Sequence, residues 1–109
     1  MNFSLNTRRR NIDTVITVRG EIDIAARRAL RAEFLRALRP HEPHLLLEMS
    51  GVTFLDCAGL RPLLEARRWA GLRGGSLRLM AASAPVRRII TLTGLEDALP
   101  CEPPAVWEL

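Results

Sequence analysis

Apolar and polar residues alternate along the first twenty positions of the chain. Phe3 and Leu5 alternate with polar neighbours. In the run NIDTVITVRG, every second residue from Ile12 to Val18 lies on the same face of a predicted strand. The basic segment TRRR, at positions 7 to 10, lies between these runs. The pattern predicts two β-strands joined by a solvated turn that contains the arginines.

The next segment, AARRALRAEFLRALR, changes to a helical period. Leu30, Phe34 and Leu38 recur every four residues with Leu35 alongside, while the arginines occupy the other positions. This spacing predicts an amphipathic helix, which we expect to end at Pro40.

The second half of the chain repeats the change between strand and helix. HLLLEMS is a continuous apolar run, which is typical of a strand covered on both faces. Asp56 to Gly71 has helical spacing, SLRLMAA predicts a short strand, and SAPVRRIITLTG predicts a helix with Pro85 in its first turn and Gly94 at its end. The prolines of residues 99–109 predict an irregular tail.

This order of elements predicts one small α/β domain over residues 1–109. Strand-helix-strand connections require parallel strands with helices packed against them, so we expect a mixed sheet of four or five strands and three or four helices. In such sheets functional loops gather at the carboxyl ends of the strands. VTFLDCAGL, residues 52–60, follows a strand and enters a helix, and is therefore the leading candidate for a functional loop.

Composition and charge exclude several classes of protein. All 16 basic residues are arginine, but the formal net charge is only +4 and acids are interspersed, which argues against a nucleic-acid-binding stripe. No apolar run reaches the roughly eighteen residues of a membrane helix, and the N-terminus MNFSLNTRRR lacks a signal-peptide core. We therefore expect a cytoplasmic protein with no membrane insertion and no cofactor.

Candidate reactive side chains in the loop have simpler structural interpretations. Cys57 at a helix start could be an activated thiol, but no histidine lies near it in sequence, and a small side chain that fills the place of a serine is the favoured interpretation. Asp56 and Asp23 are each expected to cap a helix. No acid, base and nucleophile form a convincing catalytic set, so we do not expect an enzyme.

Pro62 constrains where the helix after the loop can begin. Proline is tolerated only in the first turn of a helix, so the helix is expected to start at about Ala58 or Gly59. Asp56, Cys57 and Ala58 should then form an exposed lip that a partner could contact.

Four segments in order resemble the STAS domains, in particular the bacterial anti-sigma-factor antagonists. They are GEID at 20–23, SGVTFLDCAGL at 50–60, GGSLRLMAAS at 74–83 and VRRIITLTGLEDALP at 86–100. The resemblance implies a protein-interaction module that binds an anti-sigma factor, itself a serine kinase of the GHKL type, and so releases a sigma factor, often in a stress response.

The family motif usually reads Asp-Ser-Ser-Gly-Leu or Asp-Ser-Thr-Gly-Leu, and its second hydroxyl residue is phosphorylated by the kinase. In this sequence Asp56 matches the acid, Cys57 the first hydroxyl position and Ala58 the phosphoacceptor, while Gly59 and Leu60 close the motif. Because Ala58 has no hydroxyl, phosphorylation at the usual site is chemically impossible.

The resemblance also implies a partner surface and leaves alternatives open. The predicted surface comprises Asp23, Thr53, Asp56, Cys57, Ala58, Gly59, Leu60 and Arg61. The antagonist could be constitutively active, controlled at another residue such as Ser50 or Thr53, or unconnected with a kinase cycle. The main alternative is a STAS subunit of an ABC-type lipid-transport assembly, in which alanine is common at the position of Ala58. A homodimer is possible under either interpretation.

Overall fold

Four strands and three α-helices alternate along the part of the chain that the structure, a computed structural model, describes, residues 3–101. A short 3-10 helix, η1, precedes the second α-helix. In chain order the elements are β1 (Phe3–Arg10), β2 (Asp13–Glu21), α1 (Ile24–Ala37), β3 (His44–Phe54), η1 (Cys57–Leu60), α2 (Arg61–Leu72), β4 (Ser76–Ala82) and α3 (Ala84–Leu92).

The sheet has the order β1-β2-β3-β4 and is mixed, as predicted. β1 pairs antiparallel with β2, whereas the β2–β3 and β3–β4 pairs are parallel. Since α1 and α2 make the crossovers between parallel strands, the carboxyl ends of β2, β3 and β4 share one edge of the sheet. The predicted α/β architecture is thereby confirmed.

One continuous apolar core lies between the sheet and the helices. Leu45, Leu47 and Met49 of β3 alternate toward this core, and Leu30 and Phe34 of α1 pack into it. The intervening residue of β3, Leu46, is also buried, with Val15 of β2 beside it in register. β3 is therefore buried on both faces, as its apolar run predicts.

Three details of the predicted hairpin and first helix are wrong. The arginines at positions 8–10 belong to β1, and the turn consists of Asn11 and Ile12. Asn11 has a φ of 58°, the left-handed conformation that asparagine tolerates better than most residues. Ile12 is exposed in that turn, and Leu35 is exposed on α1, so neither contributes to the core.

The later helices begin and end close to the predicted residues. Pro62 lies in the first turn of α2, where its missing N–H is harmless, and η1 provides the preceding turn at Ala58 and Gly59. α3 has Ser83 at its N-cap position, although the structure shows no capping bond from its hydroxyl. Gly94, with a φ of 71°, follows the end of α3.

The segment after α3 contributes to the core before the described residues end. Leu99 is buried, and Cys101 forms an isolated parallel bridge with Leu79 of β4. The rest of the predicted irregular tail, residues 102–109, lies outside the described residues. Across residues 3–101, none of the helices has the length and apolar character needed to cross a membrane.

Candidate functional site

The two predicted capping acids lie at the same edge of the sheet. Asp23 follows β2 and Asp56 follows β3, and these strands are parallel neighbours. The backbone N–H of Ile22 donates to the carbonyl of Phe54 at 3.0 Å, which holds the two strand ends together. Strand pairing therefore fixes the spacing between the start of α1 and the start of η1.

Both acids act as the predicted helix caps. Oδ1 of Asp23 accepts a hydrogen bond from the backbone N–H of Ala26 at 2.9 Å, and Oδ1 of Asp56 accepts one from Gly59 at 2.9 Å. The bond at Ala26 satisfies an N–H at a helix start, while the N–H of Gly59 is shared between the side chain and the backbone carbonyl of Asp56. Asp56 thus holds the conformation of the loop.

Arg27 of α1 was not among the predicted site residues. Its Nη1 lies 3.5 Å from Oδ1 of Asp56 and forms an ion pair between α1 and the loop. Arg27 follows Asp23 by four residues, so the sequence alone already places a long cationic side chain one helical turn beyond the cap. Its partner, Asp56, lies in the loop after β3, so the pair is evident only in the folded chain.

The residues of the predicted partner surface divide into exposed and buried ones. Thr53, Cys57, Ala58 and Arg61 are exposed, and Asp56 is half-buried. Gly59 and Leu60 are buried. The surface that a partner could contact therefore consists of the residues around the Asp56 cap, while the buried Gly59 and Leu60 pack beneath them.

Gly59 has a steric reason for lacking a side chain. A Cβ at this position would lie 2.3 Å from Cδ1 of Leu55, well inside the closest normal contact. Leu60 fills the core beneath the loop. Gly59 and Leu60 therefore pack under the loop and support the exposed Ala58.

Both histidines of the chain lie near the start of β3, at the end of the sheet opposite Cys57. The thiol of Cys57 is exposed, whereas Nδ1 of His44 is 2.9 Å from Oγ of Ser76. Ser50 donates a hydrogen bond from its hydroxyl to Glu48 and is exposed. Within residues 3–101, no three His, Cys, Asp or Glu side chains group in a way that could hold a metal ion.

Exposed apolar and basic side chains next to the lip were also missed. Ile24 at the start of α1 is 64% exposed and Phe54 at the end of β3 is 48% exposed. Arg28, Arg31 and Arg61 face an open groove beside Ala58. Arg61 belongs to the predicted partner surface. The helical period places Arg28 and Arg31 only on a solvated face, because it does not reveal which second helix lies opposite.

Replacing Asp56 with alanine is expected to destabilise the domain by about 1 kcal/mol, since the cap at Gly59 is lost. Asp56→Asn is the matched control because its amide oxygen can still accept that bond while the ion pair with Arg27, worth under about 1 kcal/mol, is lost. Urea unfolding of the three proteins checks the order. Equal stability of wild type and Asp56→Ala would contradict a capping role.

Most of the chain is similar to known proteins. Residues 5–100 match the family model described as "Mlab, STAS domain". An anti-sigma-B factor antagonist of Bacillus subtilis is 28% identical over 99 residues, which cover 91% of this chain and 90% of that protein. An anti-sigma-F factor antagonist of Mycobacterium tuberculosis is 32% identical over 92 residues, covering 82% of this chain and 71% of that protein.

Solved structures give the same result at the level of the fold. The crystal structure of an anti-sigma factor antagonist from Mycobacterium paratuberculosis superposes with a TM-score of 0.82 at 29% identity, covering 93% of this chain and 86% of that one. The unphosphorylated form of the anti-sigma factor antagonist SpoIIAA superposes with a TM-score of 0.74 at 23% identity. The second likeness concerns the fold alone.

Proposed function

This chain belongs to the STAS domain family, and from that premise we propose that it is an anti-sigma-factor antagonist whose binding cannot be switched off at the usual phosphorylation site. The similar proteins named above are anti-sigma factor antagonists, which are regulatory proteins. The proposed partner is an anti-sigma factor with a GHKL-type kinase fold, and its capture by this chain frees a sigma factor for transcription. The proposed place of action is the bacterial cytoplasm.

Ala58 is the observation that carries the proposal. It stands exposed on the lip, at the position that matches the phosphoacceptor, and its methyl group cannot accept a phosphoryl group. A phosphoryl group would add nearly two negative charges to the surface, enough to disrupt an interface built around this residue. Without it, the chain remains competent to bind whenever the partner is present.

The proposed contact surface is the exposed part of the lip with the residues around it. Thr53, Cys57, Ala58 and Arg61 provide side chains for contact, and Asp23 and Asp56 keep the two helix starts in place. Gly59 and Leu60 act from below by supporting the loop. This is the arrangement of a binding module, and we propose no catalytic step for it.

A STAS subunit of an ABC-type lipid-transport assembly is the second candidate. Ala58 also favours this candidate, because the resemblance implies that such subunits often carry alanine there. The two functions predict different partners, namely an ATPase of the anti-sigma kinase type and a transporter nucleotide-binding subunit. The identity of the captured protein therefore separates them.

A pull-down from the native cytosol with ATP present is the experiment that tests the proposal. We expect tagged protein to recover an anti-sigma factor, and we expect mass spectrometry to find no phosphate on residues 50–60. Recovery of an ABC ATPase in its place would overturn the proposed function and support the second candidate. Phosphate on Ser50 or Thr53 would instead show that the chain has a phosphorylation switch at another residue.

A further inference from the structure

A groove of about 300 Å³ lies between the start of α1 and the η1–α2 junction, directly beside Ala58. Its lining is unusually basic for a protein with a net charge of only +4. We refer to it as the arginine groove, and the residues that define it are Ile24, Arg27, Arg28, Arg31, Arg61 and Glu65.

The carboxylates beside the arginine groove neutralise only part of its charge. Arg27 pairs with Asp56 at 3.5 Å, and Arg31 pairs with Glu65 at 3.2 Å. Within residues 3–101, Arg28 and Arg61 have no carboxylate at ion-pair distance. Two exposed guanidinium groups from two different helices therefore face the same open space with a surplus of positive charge.

The groove also offers apolar surface. Ile24 is 64% exposed at its edge, and Ala58 and Pro62 contribute further apolar atoms to its lining. A purely inorganic anion would make no use of this surface. A protein segment that combines carboxylates with an apolar side chain would match both the arginines and Ile24.

We propose that the arginine groove binds an acidic segment of the protein partner that covers Ala58. The inference rests on the proposed function to the extent that it identifies this partner with the anti-sigma factor. Arg28 and Arg61 are suited to the task because a guanidinium group binds a carboxylate through two parallel hydrogen bonds. Arg27 and Arg31 pair with Asp56 and Glu65 across the groove, whose walls α1 and α2 already form in the free chain.

The first test uses a probe that does not depend on the identity of the partner. The isotope-labelled protein is titrated with the synthetic peptide acetyl-EELEELEE-amide while backbone amide shifts are followed by NMR. We expect saturable shifts at Ile24, Arg28 and Arg61, with an apparent affinity that falls as salt is added. Shifts confined to other surfaces, or no shifts, would overturn the proposal.

Charge reversal provides the matched comparison. Arg28→Glu/Arg61→Glu is compared with Arg67→Glu/Arg88→Glu, which changes the net charge equally at exposed arginines outside the groove. We expect the first double variant to weaken peptide binding by about tenfold or more, and the second to change it by less than about threefold. Equal losses in both would show that only net charge matters and would overturn the proposal.

The same two variants are then measured against the anti-sigma factor recovered from the cytosol. The groove variant should lose about tenfold or more in affinity, while the control variant should bind like the wild type. If the peptide binds the groove but no anti-sigma factor is recovered, the proposed function fails and the acidic-segment inference stands. If an anti-sigma factor binds both variants equally, the inference fails and the proposed function stands.

Discussion

Ala58→Glu is expected to lower the affinity for the anti-sigma factor by about 100-fold or more while leaving the thermal midpoint unchanged. Ala58 is exposed, so the substitution removes no packing from the fold. In the complex, however, the larger charged side chain would lie inside the contact and would have to lose its water. It would also compete with an acidic partner segment for Arg28 and Arg61. Isothermal titration calorimetry with the recovered anti-sigma factor measures this loss.

Ala58→Ser is the matched control for the glutamate variant. A serine adds one hydroxyl without charge, and we expect binding within about threefold of wild type in the absence of ATP. If the partner is a serine kinase, adding ATP should phosphorylate Ser at this position and reproduce the loss seen with glutamate. Wild-type affinity for Ala58→Glu would contradict the placement of the lip at the interface.

Gly75→Ala is expected to destabilise the domain by about 3 kcal/mol or more. Gly75 precedes β4 and passes against the backbone of Pro43, and a Cβ there would lie 1.7 Å from the Pro43 carbonyl oxygen. That carbonyl also accepts a hydrogen bond from the backbone N–H of Ser76 at 2.9 Å, so it cannot move without weakening the start of the β3–β4 pair. The thermal midpoint should fall by more than about 10 °C.

Gly71→Ala provides the contrast within the same region. Gly71 lies in α2, and apart from its chain neighbours and the backbone of its own helix no atom of residues 3–101 lies within 4 Å of the position of a Cβ. Alanine is the better helix former, so we expect this variant to be as stable as wild type or up to about 1 kcal/mol more stable. Similar melting temperatures for the two variants would show that the close approach of Gly75 to Pro43 does not limit the stability of the domain.

The fold was predictable because local patterns and short connections determine it. The period of two in β1 and β2, the period of about four in α1 and the apolar run of β3 each predict one element, and the handedness of crossovers then requires parallel pairing. The error at the arginines of positions 8–10 has a physical reason. The turn at Asn11 requires a left-handed backbone conformation. Asparagine adopts this conformation readily and is therefore a better indicator of a turn than a cluster of charged residues.

The candidate site was predictable only where its contacts are local. The caps by Asp23 and Asp56 involve residues three positions apart, so spacing along the chain revealed them. The ion pair between Arg27 and Asp56 and the arginine groove bring together α1 and the η1–α2 junction, which are about thirty residues apart. No periodicity within one helix indicates which side chains another helix will face.

The position of β1 at the end of the sheet has a consequence for aggregation. Because β1 pairs with β2 alone among the strands of residues 3–101, the other side of its backbone is an open template for a second β-strand. Arg8, Arg9 and Arg10 occupy the end of this edge and are all exposed. A second molecule docking there in parallel and in register, as in a fibril, would bring like charges together, so these arginines protect the edge against fibril-like growth.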